Sequence, residues 1–279
     1  MSGAGGARAM GTRISVVICS IDAGKFDRVT ANYRSLLAGR EVEIIGIHDA
    51  RSLAEGYTRG IARSSGELLV LSHDDIRILS PDFAERLVAH LQRFDLIGIA
   101  GTTRIVGGSW LDAGDPYLYV LITSPEPESG RLQTVLLGGG EPSVGGMQGL
   151  DGVFMAMRRE VAERVGFDDV VFDGFHLYDL DFSFRAFLAG YRVGVCRDLV
   201  LVHESIGRYD AAWERYAGRF KEKFRDRLPA AWTPRNGARA EFFAGSDAEV
   251  MARCRPEALA AVIRSIDAAN ASLASPEAP

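Results

Sequence analysis

The sequence predicts an α/β domain built on a mostly parallel sheet flanked by helices. Short, uninterrupted apolar runs recur along the first hundred residues, as strands buried on both faces require. Stretches of helical period separate them. Alternation of this kind gives βαβ units and parallel neighbours.

Ile14–Cys19 is the first such run, and Phe26, Val29, Tyr33, Leu36 and Leu37 follow at helical spacing until Gly39. Val42–Ile47 is the second strand. Ser52 and Glu55 form a capping box for a helix with Leu53, Tyr57 and Ile61 on one face. Glu67–Leu71 is the third strand, Ser80 and Pro81 open a helix through Phe83, Leu87 and Leu91, and Leu96–Ala100 is the fourth strand. Between Gly101 and Leu150 the rhythm breaks. Tyr117–Thr123 and Arg131–Leu137 pair as a hairpin, and the glycine-rich Gly138–Gly149 segment reads as a lid or a plain mobile connection. Order returns at Val153–Met157, a short helix ending at Gly166, a helix over Asp179–Ala189, and strands at Val193–Cys196 and Leu199–Val202. An amphipathic helix near Asp210–Arg227, a Pro- and Gly-containing linker and a helix near Pro256–Ala269 complete the chain, with Ser272–Pro279 expected to fray.

Composition narrows the function. The 279 residues carry a net charge of −5 and no basic stripe, which argues against a nucleic-acid scaffold. Three widely spaced cysteines, Cys19, Cys196 and Cys254, suit a reducing compartment better than a disulfide framework. No apolar run approaches membrane-spanning length, and Met1–Met10 lacks the apolar stretch of a signal peptide. A cytoplasmic location is expected; peripheral membrane contact and homo-oligomerisation stay open.

In an open parallel sheet, ligands bind beyond the carboxyl ends of the strands. Ser20 and Asp22 follow the first strand, Asp49 the second, and His73-Asp74-Asp75 the third, so all converge on one rim. Neither a GxGxxG turn nor a GxxxxGK[ST] loop is present to cradle phosphates. Adjacent carboxylates holding Mg²⁺ or Mn²⁺ would supply the missing positive charge, although Asp74 and Asp75 would also suit a turn.

The ordered set Ile14–Ser20, Leu53–Ile61, Ser65–Asp75, Asp151–Arg159, Gly166–Asp168 and Tyr178–Val193 resembles the family 2 glycosyltransferases, over roughly residues 13–205. The resemblance implies the GT-A (Rossmann-like) fold, with a central insertion and a helical C-terminal tail. It divides the chain into a disordered extension (1–12), a glycosyltransferase domain (13–228) and a helical extension (229–279). Within the domain, 13–100 is the donor half, 101–150 the insertion and 151–205 the acceptor half.

The implied activity is metal-dependent, inverting transfer of a sugar from a nucleotide-sugar to an acceptor hydroxyl. His73-Asp74-Asp75 stands where the family has Asp-x-Asp, so His73 aligns with the first Asp and Asp75 with the metal ligand; a one-residue shift moves that role to Asp74. Tyr178-Asp179 stands for Glu-Asp, making Asp179 the catalytic base and Asp181 the alternative. His203 aligns with a histidine able to bind the metal, and is otherwise a hydrogen-bonded structural residue. Ser20 and Asp49 align with contacts to ribose and base, Asp151 with a position near sugar or acceptor, and Arg59, Asp22, His73 and Asp74 join the donor-binding set. Thr58 departs from the Asn of many relatives.

Bland roles compete at several positions. Asp22 and Glu55 suit a turn and a cap, Asp181 a helix dipole, and His176 and Tyr178 packing. Trp110 and Asp112 suit either an acceptor ring or the core. Two other functions carry over: a non-catalytic nucleotide-sugar-binding protein, and a sugar nucleotidyltransferase. The latter wants a glycine-rich basic loop that Cys19-Ser-Ile-Asp22 does not supply.

Overall fold

A computed structural model describes residues 12–205, 207 and 209–274. Residues 1–11 of the expected N-terminal extension, and 275–279 of the expected frayed end, lie outside them.

The first part of the chain alternates β1 (Ile14–Cys19), α1 (Ala23–Leu36), β2 (Val42–Ile47), α2 (Leu53–Arg63) and β3 (Leu68–Ser72). Then come β4 (Ile76–Ile78), α3 (Phe83–Arg93), β5 (Leu96–Gly98), β6 (Ala100–Thr102), a 3₁₀ turn at Trp110–Ala113, β7 (Leu118–Pro125), β8 (Leu132–Leu137) and β9 (Ser143–Gly145). The third part holds β10 (Gly149–Leu150), β11 (Phe154–Arg158), α4 (Arg159–Val165), α5 (Tyr178–Leu188), β12 (Val193–Cys196) and β13 (Leu201–His203). The last has α6 (Ala211–Lys223), β14 (Arg239–Ala244), α7 (Asp247–Arg253) and α8 (Pro256–Ala274).

The main sheet has the order β2-β1-β3-β11-β5-β12-β9. Its β2-β1-β3 half is parallel, and β11 enters antiparallel to both β3 and β5. From β1 the chain steps to one side for β2 and to the other for β3, which makes β1/β3 a switch point where a crevice opens at the strand ends. Strand alternation puts Val17, Leu69, Leu71, Met155 and Met157 into a core with Tyr57, Phe182 and Phe220. On the other face Ile14, Val16, Ile18, Val70 and Phe154 pack with Tyr33, Phe83 and Leu87. Each fully buried side chain of this size contributes about 1.5–3 kcal/mol.

A second sheet, β10-β6-β7-β13-β4 with β8 and β14 added beside β7, was not expected from the sequence. The expected strand Leu96–Ala100 is split between the two sheets. Gly98 pairs with Met155 and Val195, while Ala100 pairs with Val120. The expected hairpin is present as β7 and β8.

Three further expectations change. Ser80 does not cap α3; its hydroxyl accepts from Val200 N at 2.9 Å and so ties the helix entry to the turn that leads into β13. The Gly138–Gly149 segment is not a loose connection. Buried Arg197 donates to the carbonyls of Leu137, Gly138, Gly139 and Glu141, and β9 joins the sheet edge. The C-terminal tail is helical but also contributes β14, paired with β8, while α7 and α8 cover Leu121 and Leu136. No helix among the described residues is long and apolar enough to cross a membrane, and all three cysteines are free.

Candidate active site

Register brings the rim together. Cys19 lies beside Ile47, and Ile18 beside Ser72, so β1, β2 and β3 end level with one another. Ser20 Oγ donates to Asp74 Oδ2 at 2.6 Å, which turns Asp74 toward β1. Asp75 turns the other way. β4 pairs antiparallel with β13, setting Ile76 opposite His203, and His203 Nε2 lies 3.3 Å from Asp75 Oδ1. His73 Nδ1 is 3.9 Å from the same oxygen, and Lys25 Nζ is 3.9 Å from Asp75 Oδ2.

The ligating atoms of His73, Asp75 and His203 all lie within 4.8 Å of one another. Burial acts to raise the Asp75 carboxyl, but hydrogen bonds to His203 and Ser205 and the two imidazoles overcome it, holding the group well below the usual carboxylate range. Burial, and then His203, lower the pKa of His73 and favour the neutral imidazole a metal requires. Two imidazoles and an ionised carboxylate in mutual reach are a chemically suitable set for a divalent transition metal.

On the far side of His73, α5 begins. Its N-terminal neighbour Leu177 has φ 62°, the one non-glycine residue with positive φ among those described, and this backbone turn aims the first helical residues at the rim. Asp179 Oδ2 accepts from Gly152 N at 2.7 Å, and the Tyr178 hydroxyl donates to Gly152 O at 3.2 Å. Burial, and then the charge of Asp151, raise the Asp179 carboxyl to about 7. Asp151 itself accepts from Trp110 Nε1 at 3.1 Å and from Val153 N at 2.9 Å.

Two pockets meet here. One is lined by Ser20, Ile21, Ala50, Leu53, Asp74 and Asp75, the other by Trp110, Asp151, His176, Asp179, Tyr209 and Trp213. His73 and Phe175 line both, forming the wall between them.

Residues 15–224 match the model of the family described as "Glycosyltransferase like family". The chain belongs to this family. Its chemistry is therefore glycosyl transfer. No curated protein matches the chain significantly. Among solved structures, the mannosyltransferase PcManGT from Pyrobaculum calidifontis, in complex with GDP-Man and Mn²⁺, is similar at 15% identity and TM-score 0.49, over 96% of this chain and 77% of that one. GalNAc-T7 with UDP, GalNAc and Mn²⁺ is similar at 10% identity and TM-score 0.46, over 71% and 44%. S. aureus TarS 1–349 is similar at 9% identity and TM-score 0.41, over 77% and 72%. At these scores the likenesses add nothing to the family match.

Not every expected residue of this glycosyltransferase reaches the two pockets. Asp181 is fully buried, with Oδ2 on Arg185 at 2.7 Å and Oδ1 on Lys223 at 2.6 Å, so it holds α5 to α6 and is no alternative base. Asp49 is exposed and paired with Arg59 at 2.8 Å; neither lines either pocket. Asp22 caps α1 by accepting from Lys25 N at 2.9 Å, outside both pockets. Glu55 accepts from Arg51 N, and Asp112 closes a small capping box with Ser109. Trp110 stands between its two readings, half-buried yet lining the pocket beside Asp151. Sequence reasoning missed Lys25 beside Asp75; a lysine one turn into the helix after β1 was the available signal. It also passed over Phe175, which is 56% exposed at the dividing wall.

Proposed function

We propose that this glycosyltransferase is a metal-dependent, inverting enzyme that transfers a sugar from a nucleoside-diphosphate sugar to an acceptor hydroxyl. The observation carrying this reading is the shared wall. A cluster of side chains able to hold a cation reaches one pocket through His73 and Asp75, a carboxylate raised to about 7 faces the other, and His73 stands in the wall between them.

His73, Asp75 and His203 would hold the cation. Two nitrogen donors favour Mn²⁺ over Mg²⁺, which prefers an all-oxygen shell. A divalent ion bound there offsets the charge that develops on a departing diphosphate. Lys25 adds a second positive group on the same side. Ser20 and Asp74, locked together, form the polar floor of the donor pocket, and Ile21, Ala50 and Leu53 its apolar side.

Asp179 acts from the acceptor pocket. As a carboxylate it takes the proton of the attacking hydroxyl while the new carbon–oxygen bond forms and the bond to the diphosphate breaks. A pKa of about 7 places the base near the working pH, where proton transfer is efficient. Base and leaving group on opposite sides of His73 fit displacement with inversion.

Asp179→Asn tests the reading. Transfer should fall by at least 100-fold, in line with the loss of a general base, while diphosphate and Mn²⁺ binding stay at the parent level. Parent-like turnover in this variant would remove Asp179 from the mechanism. A parent protein that binds donor but transfers to none of a broad acceptor panel would favour a binding protein instead.

A further inference from the structure

His73, at the end of β3, and Tyr178, the first residue of α5, touch each other across 105 residues of sequence. His73 Nε2 lies 3.1 Å from the Tyr178 hydroxyl. Tyr178 is 4% exposed and packs on the rings of Tyr57 and Phe167, while His73 is partly exposed at the wall between the pockets.

The direction of this hydrogen bond follows from the one proton the hydroxyl has to give. Gly152 is buried, and among the described residues its carbonyl has no donor other than Tyr178, at 3.2 Å. Leaving that carbonyl unpaired costs about 1–3 kcal/mol. The tyrosine proton therefore goes to Gly152 O, and the tyrosine oxygen accepts from His73. That requires a proton on Nε2 and leaves the Nδ1 lone pair facing Asp75 and His203. The Gly152 peptide then turns to α5 a second time, donating its N–H to Asp179. One peptide thus joins the histidine's support to the base. Only glycine fits between them, since a Cβ on residue 152 would overlap the Tyr178 hydroxyl.

We propose that Tyr178 is a positioning residue for His73: its hydroxyl, anchored on Gly152, holds the imidazole in the Nε2–H tautomer with Nδ1 directed to the Asp75–His203 pair. The inference rests on the metal reading above.

Two measurements on the full chain test it. Long-range ¹H–¹⁵N spectra of the metal-free, ¹⁵N-labelled protein resolve its five histidines, with His73 assigned by its loss in His73→Gln. The expected result is the Nε2–H tautomer in the parent and a shift toward Nδ1–H in Tyr178→Phe, which keeps the ring packing. Calorimetric titration with Mn²⁺ should show binding about 10–100-fold weaker in Tyr178→Phe, the usual effect of losing a residue that supports a metal ligand. An Nδ1–H parent, or parent-like Mn²⁺ affinity in Tyr178→Phe, overturns the inference alone. A parent that binds no Mn²⁺ overturns the metal reading and this inference with it. The parent spectrum decides the tautomer whether or not the variant folds.

Discussion

Replacing Asp151 by Asn should lower the pKa of Asp179 without touching the base itself. Asp179 stands at about 7 against an ordinary value of 3.8, a gap of about 3 pH units. Burial is the larger cause and the charge of Asp151 the next, so removing that charge lowers the pKa while burial still holds it above the ordinary value. The variant loses one of the two hydrogen bonds Asp151 accepts, from Trp110 and Val153, at a cost of about 1 kcal/mol. The direct assay is a ¹³C carboxyl titration of the labelled protein by NMR, which needs no substrate. The parent should titrate near neutrality and Asp151→Asn lower, with the acid limb of activity moving in the same direction and by the same amount. The sign for stability is also fixed. A carboxyl raised in the folded state binds its proton more tightly there than in the unfolded chain, so its contribution to stability declines as pH rises from about 4 to about 7. An Asp179 that titrates near 4 in the parent would refute the reasoning, as would a variant whose midpoint does not move.

Two other substitutions separate site geometry from scaffold. Gly152→Ala would drive a methyl into the Tyr178 hydroxyl and to 2.8 Å from Asp179 Cβ. Displacing the base in this way should cut transfer on the order of 100-fold, and parent-level turnover would show the clamp is unimportant. Lys223→Met removes one of the two cations on fully buried Asp181. The melting temperature should drop by roughly 6–12 °C, from a loss of about 3 kcal/mol, with transfer retained at low temperature; a change below about 2 °C would mean the pair is dispensable.

The parallel half of the main sheet was legible because β1, β2 and β3 are continuous apolar runs, and their ends then define the rim. β4, β9 and β10 were not, because strands of two or three residues carry no period of their own and exist only through partners such as β13, β12 and β6. Leu96–Ala100 reads as one run because both of its halves are buried, in different sheets. Asp181 was decidable from helix geometry alone: two residues along a helix are about 200° around it, so Asp179 and Asp181 face opposite ways. The Asp49–Arg59 pair shows the limit of the rim rule, which locates an edge but not which polar groups turn inward. No local pattern could reveal the His73–Tyr178 contact, since it depends on α5 docking against the end of β3.

The measurement that tests the central claim most directly is calorimetric titration of UDP, GDP and TDP, each with and without Mn²⁺, on the parent and on Asp75→Ala. Binding of one diphosphate that requires the metal and is lost in Asp75→Ala is the predicted result. A folded parent that binds none of them, or binds one equally well without Mn²⁺ and without Asp75, would contradict it.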